Sequence, residues 1–174
     1  MATTTAKTPI TSASIEFEVI SFETASSHAK FEALRADLAQ FLYVHMGDYG
    51  DDLIDIERCL DYAASPAEGK GGVVIVAQRS SSQTSSNNVT DDTIVGAVIL
   101  NHTGMQGYIP EHILVYIAVH GDTRGQGLGK TLMQHAVNAV PGSIALHVEE
   151  DNPARKLYAA MGFQTKYLEM RLQR

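Results

Sequence analysis

One cysteine, Cys59, stands among 174 residues, so no intramolecular disulfide framework is available and a reducing compartment suits the chain. Its neighbours Ile56 and Leu60 make it a structural thiol on a buried helical face rather than a nucleophile. Basic residues are in deficit: 13 Lys+Arg against 20 Asp+Glu leave a formal charge of −7. That deficit argues against a nucleic-acid binder working by phosphate neutralisation. It suits cationic small molecules or peptides as partners, and equally plain solubility. Long apolar runs are missing as well; Ile113–Val119 is far too short to cross a bilayer, so no membrane span is expected. Residues Met1–Ser14 are rich in Thr, Ser and Ala and have no apolar h-region, which excludes a secretory signal there. A disordered leader over 1–14 and a cytoplasmic location are the expectation. There is no H-E-x-x-H helix and no Cys/His cluster to predict a metal, and no G-x-S-x-G element to predict nucleophilic hydrolysis.

What is present is an ordinary globular composition, 44% apolar and 19% charged, with length for one core and no repeat of solenoid period. Ile15, Phe17 and Val19 alternate with polar residues as a half-buried strand does. Ser26 or Ser27 is placed to cap a helix carrying Phe31, Leu34, Leu38, Phe41 and Leu42 at three- and four-residue spacing. Gly47–Gly50 interrupts it, and Asp51-Asp52 opens a second helix with Leu53, Ile56, Leu60 and Ala63 on one face, stopped near Pro66. Strands are predicted at Val73–Ala77, Thr93–Leu100, Ile113–Val119 and Ser143–Val148, with one or two more over Phe163–Leu172. Helices are predicted at Leu128–Val140 and Pro153–Met161. Residues 78–92, rich in Ser, Thr and Asn, read as a flexible loop. This order describes an α/β fold, a mixed central sheet with helices on both faces, in a single domain over 15–174.

The densest signal follows Ile117-Ala118-Val119: the run Arg124-Gly125-Gln126-Gly127-Leu128-Gly129-Lys130. Three glycines at alternate positions let backbone N–H groups approach a ligand closely. They stand where a helix begins, so unpaired first-turn donors and the positive end of the helix dipole face one point. Phosphate or pyrophosphate binds such an arrangement, and Arg124 can add a charge-assisted contact. A nucleotide P-loop needs G-x-x-x-x-G-K-[ST], and Gly125–Thr131 is one residue short of it. A dinucleotide fingerprint needs G-x-G-x-x-G in a first βα turn, and these glycines read G-x-G-x-G past residue 120.

Arg124-x-x-Gly127-x-Gly129 together with Asn152-Pro-Ala-Arg-Lys-Leu-Tyr158-Ala-Ala-Met-Gly162-Phe163 resembles the motif set of the GCN5-related N-acetyltransferase (GNAT) family. The resemblance is specific over Ile113–Phe163 and extends by element order alone over Ile15–Leu100. It implies an acyl-CoA N-acyltransferase-like fold whose fourth strand splays from the fifth. Acetyl-CoA would be the co-substrate, its pantetheine arm lying in the gap. It further implies that Ile117, Ala118 and Val119 meet the pantetheine, that Arg124, Gly125, Gln126, Gly127, Leu128, Gly129 and Lys130 surround the pyrophosphate, and that Asn152 contacts the cofactor arm. Asn152 and Tyr158 stand six residues apart where many members have seven, so Asn152 or Asp151 fills the Asn position.

On that resemblance Tyr158 is the expected general acid, protonating the thiolate that an attacking amine expels; its other reading is a half-buried aromatic beside Leu157 and Phe163. His147 is the expected base, with Glu149, Glu150, Glu111 and His112 as rivals and a backbone-bonded strand histidine as the alternative. The acceptor, a primary amine on a small molecule, amino acid or protein N-terminus, would meet Phe41–Leu53 and His102–His112. Tyr43, His45, Asp48, Tyr49, Asp51 and Asp52 could receive a cation there. A homodimer is consistent with such enzymes. A non-catalytic acyl-CoA sensor is the reading from another class.

Overall fold

The computed structural model describes residues 14–80 and 93–172. The 1–14 leader, except Ser14, and the loop from Ser81 to Asp92 lie outside the described residues.

Four long strands and one short one build a five-stranded sheet in the order β1-β2-β3-β4-β5. They are β1 (Ile15–Ser21), β2 (Gly72–Arg79), β3 (Thr93–His102), β4 (His112–Val119) and β5 (Ile144–Leu146). Three consecutive antiparallel pairings join β1 to β4, and β4 pairs with β5 in parallel. Gln78 and Arg79, read from sequence as the start of a loop, instead pair with Glu16 and Ile15 and extend β2. Backbone pairing is satisfied there whatever the composition suggests.

The near-continuous apolar runs of β2 and β3 reflect cover on both faces. Helices α1 (Ala25–Met46) and α2 (Leu53–Ala63) bury Phe31, Leu38, Leu42, Ile56 and Leu60 against Val74, Val76 and Ile99. Helix α3 (Leu128–Ala139) buries Leu132, Met133 and Ala136 on the opposite face, against Ile75, Ala77 and Val98. A Cβ on Gly96 would lie 2.6 Å from Leu132 Cδ1, so α3 packs this closely only because β3 carries a glycine there. The expected mixed sheet with helices on both faces is the observed fold.

Other features also differ from the sequence reading. Thr24, not Ser26 or Ser27, caps α1, its hydroxyl accepting from Ser27 N at 3.1 Å from an extended backbone. Strand β5 is cut to three residues. The segment Phe163–Leu172, expected to hold one or two strands, forms none, and Tyr167, Leu168, Met170 and Leu172 are exposed. Local composition suggests a strand, but a strand also needs an edge to pair with.

Candidate functional site

Strands β4 and β5 part company halfway. Their parallel pairing covers His112↔Ile144, Ile113↔Ala145 and Leu114↔Leu146, whereas β4 continues to Val119. Among the described residues, Val115–Val119 therefore meets no strand on its β5 side. The parting coincides with a β-bulge: partners on β3 step from Ile99↔Tyr116 to Leu100↔Leu114, leaving Val115 as the extra residue. A bulge re-aims the side chains around it. Here it sends Leu114 into the α3-side cluster and Tyr116 into the α1/α2-side cluster. Ile117 and Val119, expected beside the pantetheine, are half-buried on the α3 side, and Ala118 faces the other way.

At the end of β4 the chain makes a braced turn. His120 N donates to Val95 O, Thr123 Oγ1 to His120 O at 2.8 Å, and Gln126 Nε2 to Asp122 O at 2.7 Å. The Gln126 side chain thus supports the loop from within. Gly125 and Gly127 have φ of 73° and 85°, a left-handed region costly for other residues. A Cβ at either would meet nothing within 4 Å, so both open onto free space. Among the described residues, the N–H groups of Gly125, Gly127, Leu128, Gly129 and Lys130 donate to no acceptor, Thr131 N being the first to bond back, to Gly127 O. Five free donors at a helix N-terminus form a built anion cradle. The Lys130 side chain is exposed on the first turn of α3.

Arg124 departs from the expectation in part: its Nη2 donates to His45 O at 2.8 Å, so the guanidinium ties this loop to the end of α1. Beneath that link the His45 and His120 rings lie 4.6 Å apart. Burial, then His120 and Arg124, hold the His45 imidazole below its usual range, which favours its neutral form.

Tyr158 lies on α4 (Arg155–Ala160), 8% exposed, in the α3-side cluster with Leu114 and Leu128. Its ring meets Phe163 edge-on at 6.1 Å. Burial pushes the phenol up from its ordinary value, which keeps it protonated and able to donate. Both sequence readings of this residue, packed aromatic and available proton donor, are compatible with one position. Asn152 Oδ1 accepts from Ala154 N at 2.9 Å, so that oxygen organises the entry to α4.

His147 follows β5 directly and is exposed, with Glu149 and Glu150 on the same turn. Glu111 and His112 are elsewhere. They sit at the start of β4, about 20 Å from its far end at strand rise, and Glu111 accepts from Ser143 N and Gly107 N. The segment His102–His112 is displaced from the gap with them, contrary to the expectation for the acceptor site. Of the other acceptor candidates, Tyr43 and Asp48 are exposed, whereas Tyr49 and Asp51 reach across: Tyr49 Oη donates to Asp151 O at 3.4 Å and Tyr116 Oη to Asp51 Oδ2 at 2.7 Å. Sequence reasoning missed Tyr116 and His120. Period 2 alone would place Tyr116 on the face of Leu114, and the bulge at Val115 puts it on the other. A groove of about 660 Å³ between β1 and α1, lined by Phe17, Val19 and Lys30, lies at the opposite edge of the sheet and has no such cradle.

The family model described as "Acetyltransferase (GNAT) domain" matches residues 70–165, more than half of the chain. No curated protein sequence matches. Among solved structures, the ribosomal-protein-alanine N-acetyltransferase from Brucella melitensis biovar Abortus 2308 is similar, at 17% identity and a TM-score of 0.53, over 92% of this chain and 99% of that one. The aminoglycoside N-acetyltransferase AAC(6')-Iy in complex with CoA is similar at 17% identity and a TM-score of 0.56, over 94% and 97%. The NatC complex bound to Gag peptide and CoA contains a chain similar at 15% identity and a TM-score of 0.58, over 88% and 86%. These likenesses are of fold. With the motif-bearing half of the chain matched directly, from β2 through α4, the protein belongs to the GNAT acetyltransferase family.

Proposed function

We propose that the protein transfers an acetyl group from acetyl-CoA directly to a primary amine, residues 15–174 acting as one domain. The observation that carries this reading is continuity. The free donors at the start of α3 stand at the very end of β4 that has parted from β5, so a pyrophosphate on the cradle leaves its acyl arm beside an unpaired strand edge. Main-chain groups of Ile117 and Val119 would receive the arm's amides. The amine attacks the thioester carbonyl, forming the C–N bond as the C–S bond breaks. Tyr158 gives its proton to the departing sulfur, and His147 takes a proton from the amine. Two CoA-bound relatives of the same fold support the choice of co-substrate.

Thermal melting with acetyl-CoA, followed by thiol release on adding amines, tests the reading. Acetyl-CoA is expected to raise Tm, since a ligand at about 100 times its Kd adds about 2.7 kcal/mol. Amine-dependent thiol release should follow. No shift in Tm would overturn the co-substrate assignment, and a shift without thiol release from any amine would make the protein a sensor.

A further inference from the structure

Tyr158 and Tyr116 flank the same gap from opposite faces of the sheet, Tyr158 with the α3 cluster and Tyr116 with the α1/α2 cluster. Tyr116 is 7% exposed and lies two residues beyond the last β4–β5 pair. Its single O–H is directed at Asp51 Oδ2 at 2.7 Å. Burial, then the Asp51 carboxylate, push this phenol far above its ordinary range, so it is a permanent donor and no acid or base itself. Asp51 is exposed in the extended link before α2 and caps nothing there; among the described residues its other oxygen, Oδ1, takes no hydrogen bond. Two residues earlier Tyr49 spans to Asp151, across to the turn after β5. The link between α1 and α2 therefore borders the mouth of the gap on the face opposite Tyr158. Its charged surroundings are Asp55 from α2 and Arg171 from the C-terminal segment, the latter paired with Glu169. Asp51 also lies outside the span 70–165 matched by the family model, so it belongs to the part of the chain in which the match fixes nothing.

We propose that Asp51 holds the acceptor's ammonium group at the mouth of the gap, with Tyr116 fixing the carboxylate. The acceptors are thereby cationic primary amines arriving from the face opposite acetyl-CoA. The inference rests on the acetyl-transfer reading. Tyr116 spends its proton on one oxygen and leaves the other to the substrate, which orients the amine without a flexible side-chain search. The protons balance as follows: an ammonium has three and the amide keeps one. The thiol sulfur keeps the proton Tyr158 donated; one of the two released restores the Tyr158 phenol, and the other reaches solvent by way of His147.

The test uses the full chain with acetyl-CoA and n-butylamine as the probe at about pH 8, read by thiol release. A hydrogen bond to a charged partner is worth about 1.5–3 kcal/mol, so Asp51→Asn should raise the KM for n-butylamine about 10- to 100-fold. The acetyl-CoA KM and the acetyl-CoA-induced rise in Tm should not change. Asp51→Glu should recover part of the loss, and Tyr116→Phe should show a smaller increase in the same KM. Hydroxylamine, uncharged at that pH, should lose much less in Asp51→Asn than n-butylamine does. An unchanged n-butylamine KM in Asp51→Asn, an equal loss for hydroxylamine, or no turnover of n-butylamine by a wild type stabilised by acetyl-CoA would each overturn the assignment. A wild type that acetyl-CoA does not stabilise would remove acetyl transfer itself, and this inference with it.

Discussion

The two faces of the sheet meet the gap between β4 and β5 by different means. On the α3 face the contacts offered to a ligand are main-chain donors from one short run, Gly125 and then Gly127 to Lys130, held by a turn that is braced internally. On the α1/α2 face they come from distant segments: the Asp51 and Tyr116 side chains, and the Tyr49 side chain on the main-chain oxygen of Asp151. A backbone cradle accepts any pyrophosphate of the right shape and is indifferent to most side-chain changes. A side-chain constellation can be altered one residue at a time. The first arrangement is suited to a constant co-substrate and the second to an acceptor that differs between proteins of one fold.

The comparison can be broken most sharply at Tyr158, the one side chain on the α3 face given chemical work. Tyr158→Phe should lower kcat about 100- to 10,000-fold while leaving the acetyl-CoA-induced rise in Tm intact, because in the proposed mechanism the hydroxyl acts only as sulfur gains charge. Steady-state kinetics beside cofactor titration reads both quantities, and unchanged turnover would leave Tyr158 a packing residue.

Gly127→Val should come next. Its Cβ would collide with nothing in the protein, but it would fill the space before the cradle and force a non-glycine residue to a φ of 85°. The strain costs about 1–2 kcal/mol, and the rise in Tm with acetyl-CoA should vanish. A folded variant retaining that rise would show that the pyrophosphate lies elsewhere. Gly96→Val probes the same face without touching the cradle. Overpacking Leu132 should destabilise the fold by about 1–3 kcal/mol in urea unfolding, with acetyl-CoA affinity unchanged.

The smallest effect belongs to the α1/α2 face. Burial pushes the Cys59 thiol from 9.0 up to about 12, with Asn101 donating to its sulfur and opposing the shift. The unfolded chain ionises first, so the thiol's contribution to stability is complete below pH 9 and is lost as pH rises toward about 12. Stability measured across that window should fall less steeply in Cys59→Ala than in the wild type. Native protein at pH 8 should react slowly with a thiol reagent.

The helices and the long strands were legible in the sequence because burial imposes a period on neighbouring residues. Phe31 to Leu42 on α1 and Leu132 to Ala136 on α3 face the core as their spacing required. The free donors ahead of α3 were legible for the same reason of locality, since glycines at alternate positions before a helix supply their own geometry. Tertiary structure decided the rest. The Tyr116–Asp51, Arg124–His45 and Tyr49–Asp151 contacts join residues 65, 79 and 102 positions apart, and no spacing rule reaches across such intervals. Which face Tyr116 takes depends on a bulge at Val115, an extra residue visible only against the pairing of β3. Phe163–Leu172 was read as one or two strands and forms none, because a strand needs an edge to pair with and local composition does not supply one. By itself the sequence determined where free main-chain donors gather at the start of α3; the folding of α1 and α2 over the sheet decided which side chains border the gap between β4 and β5.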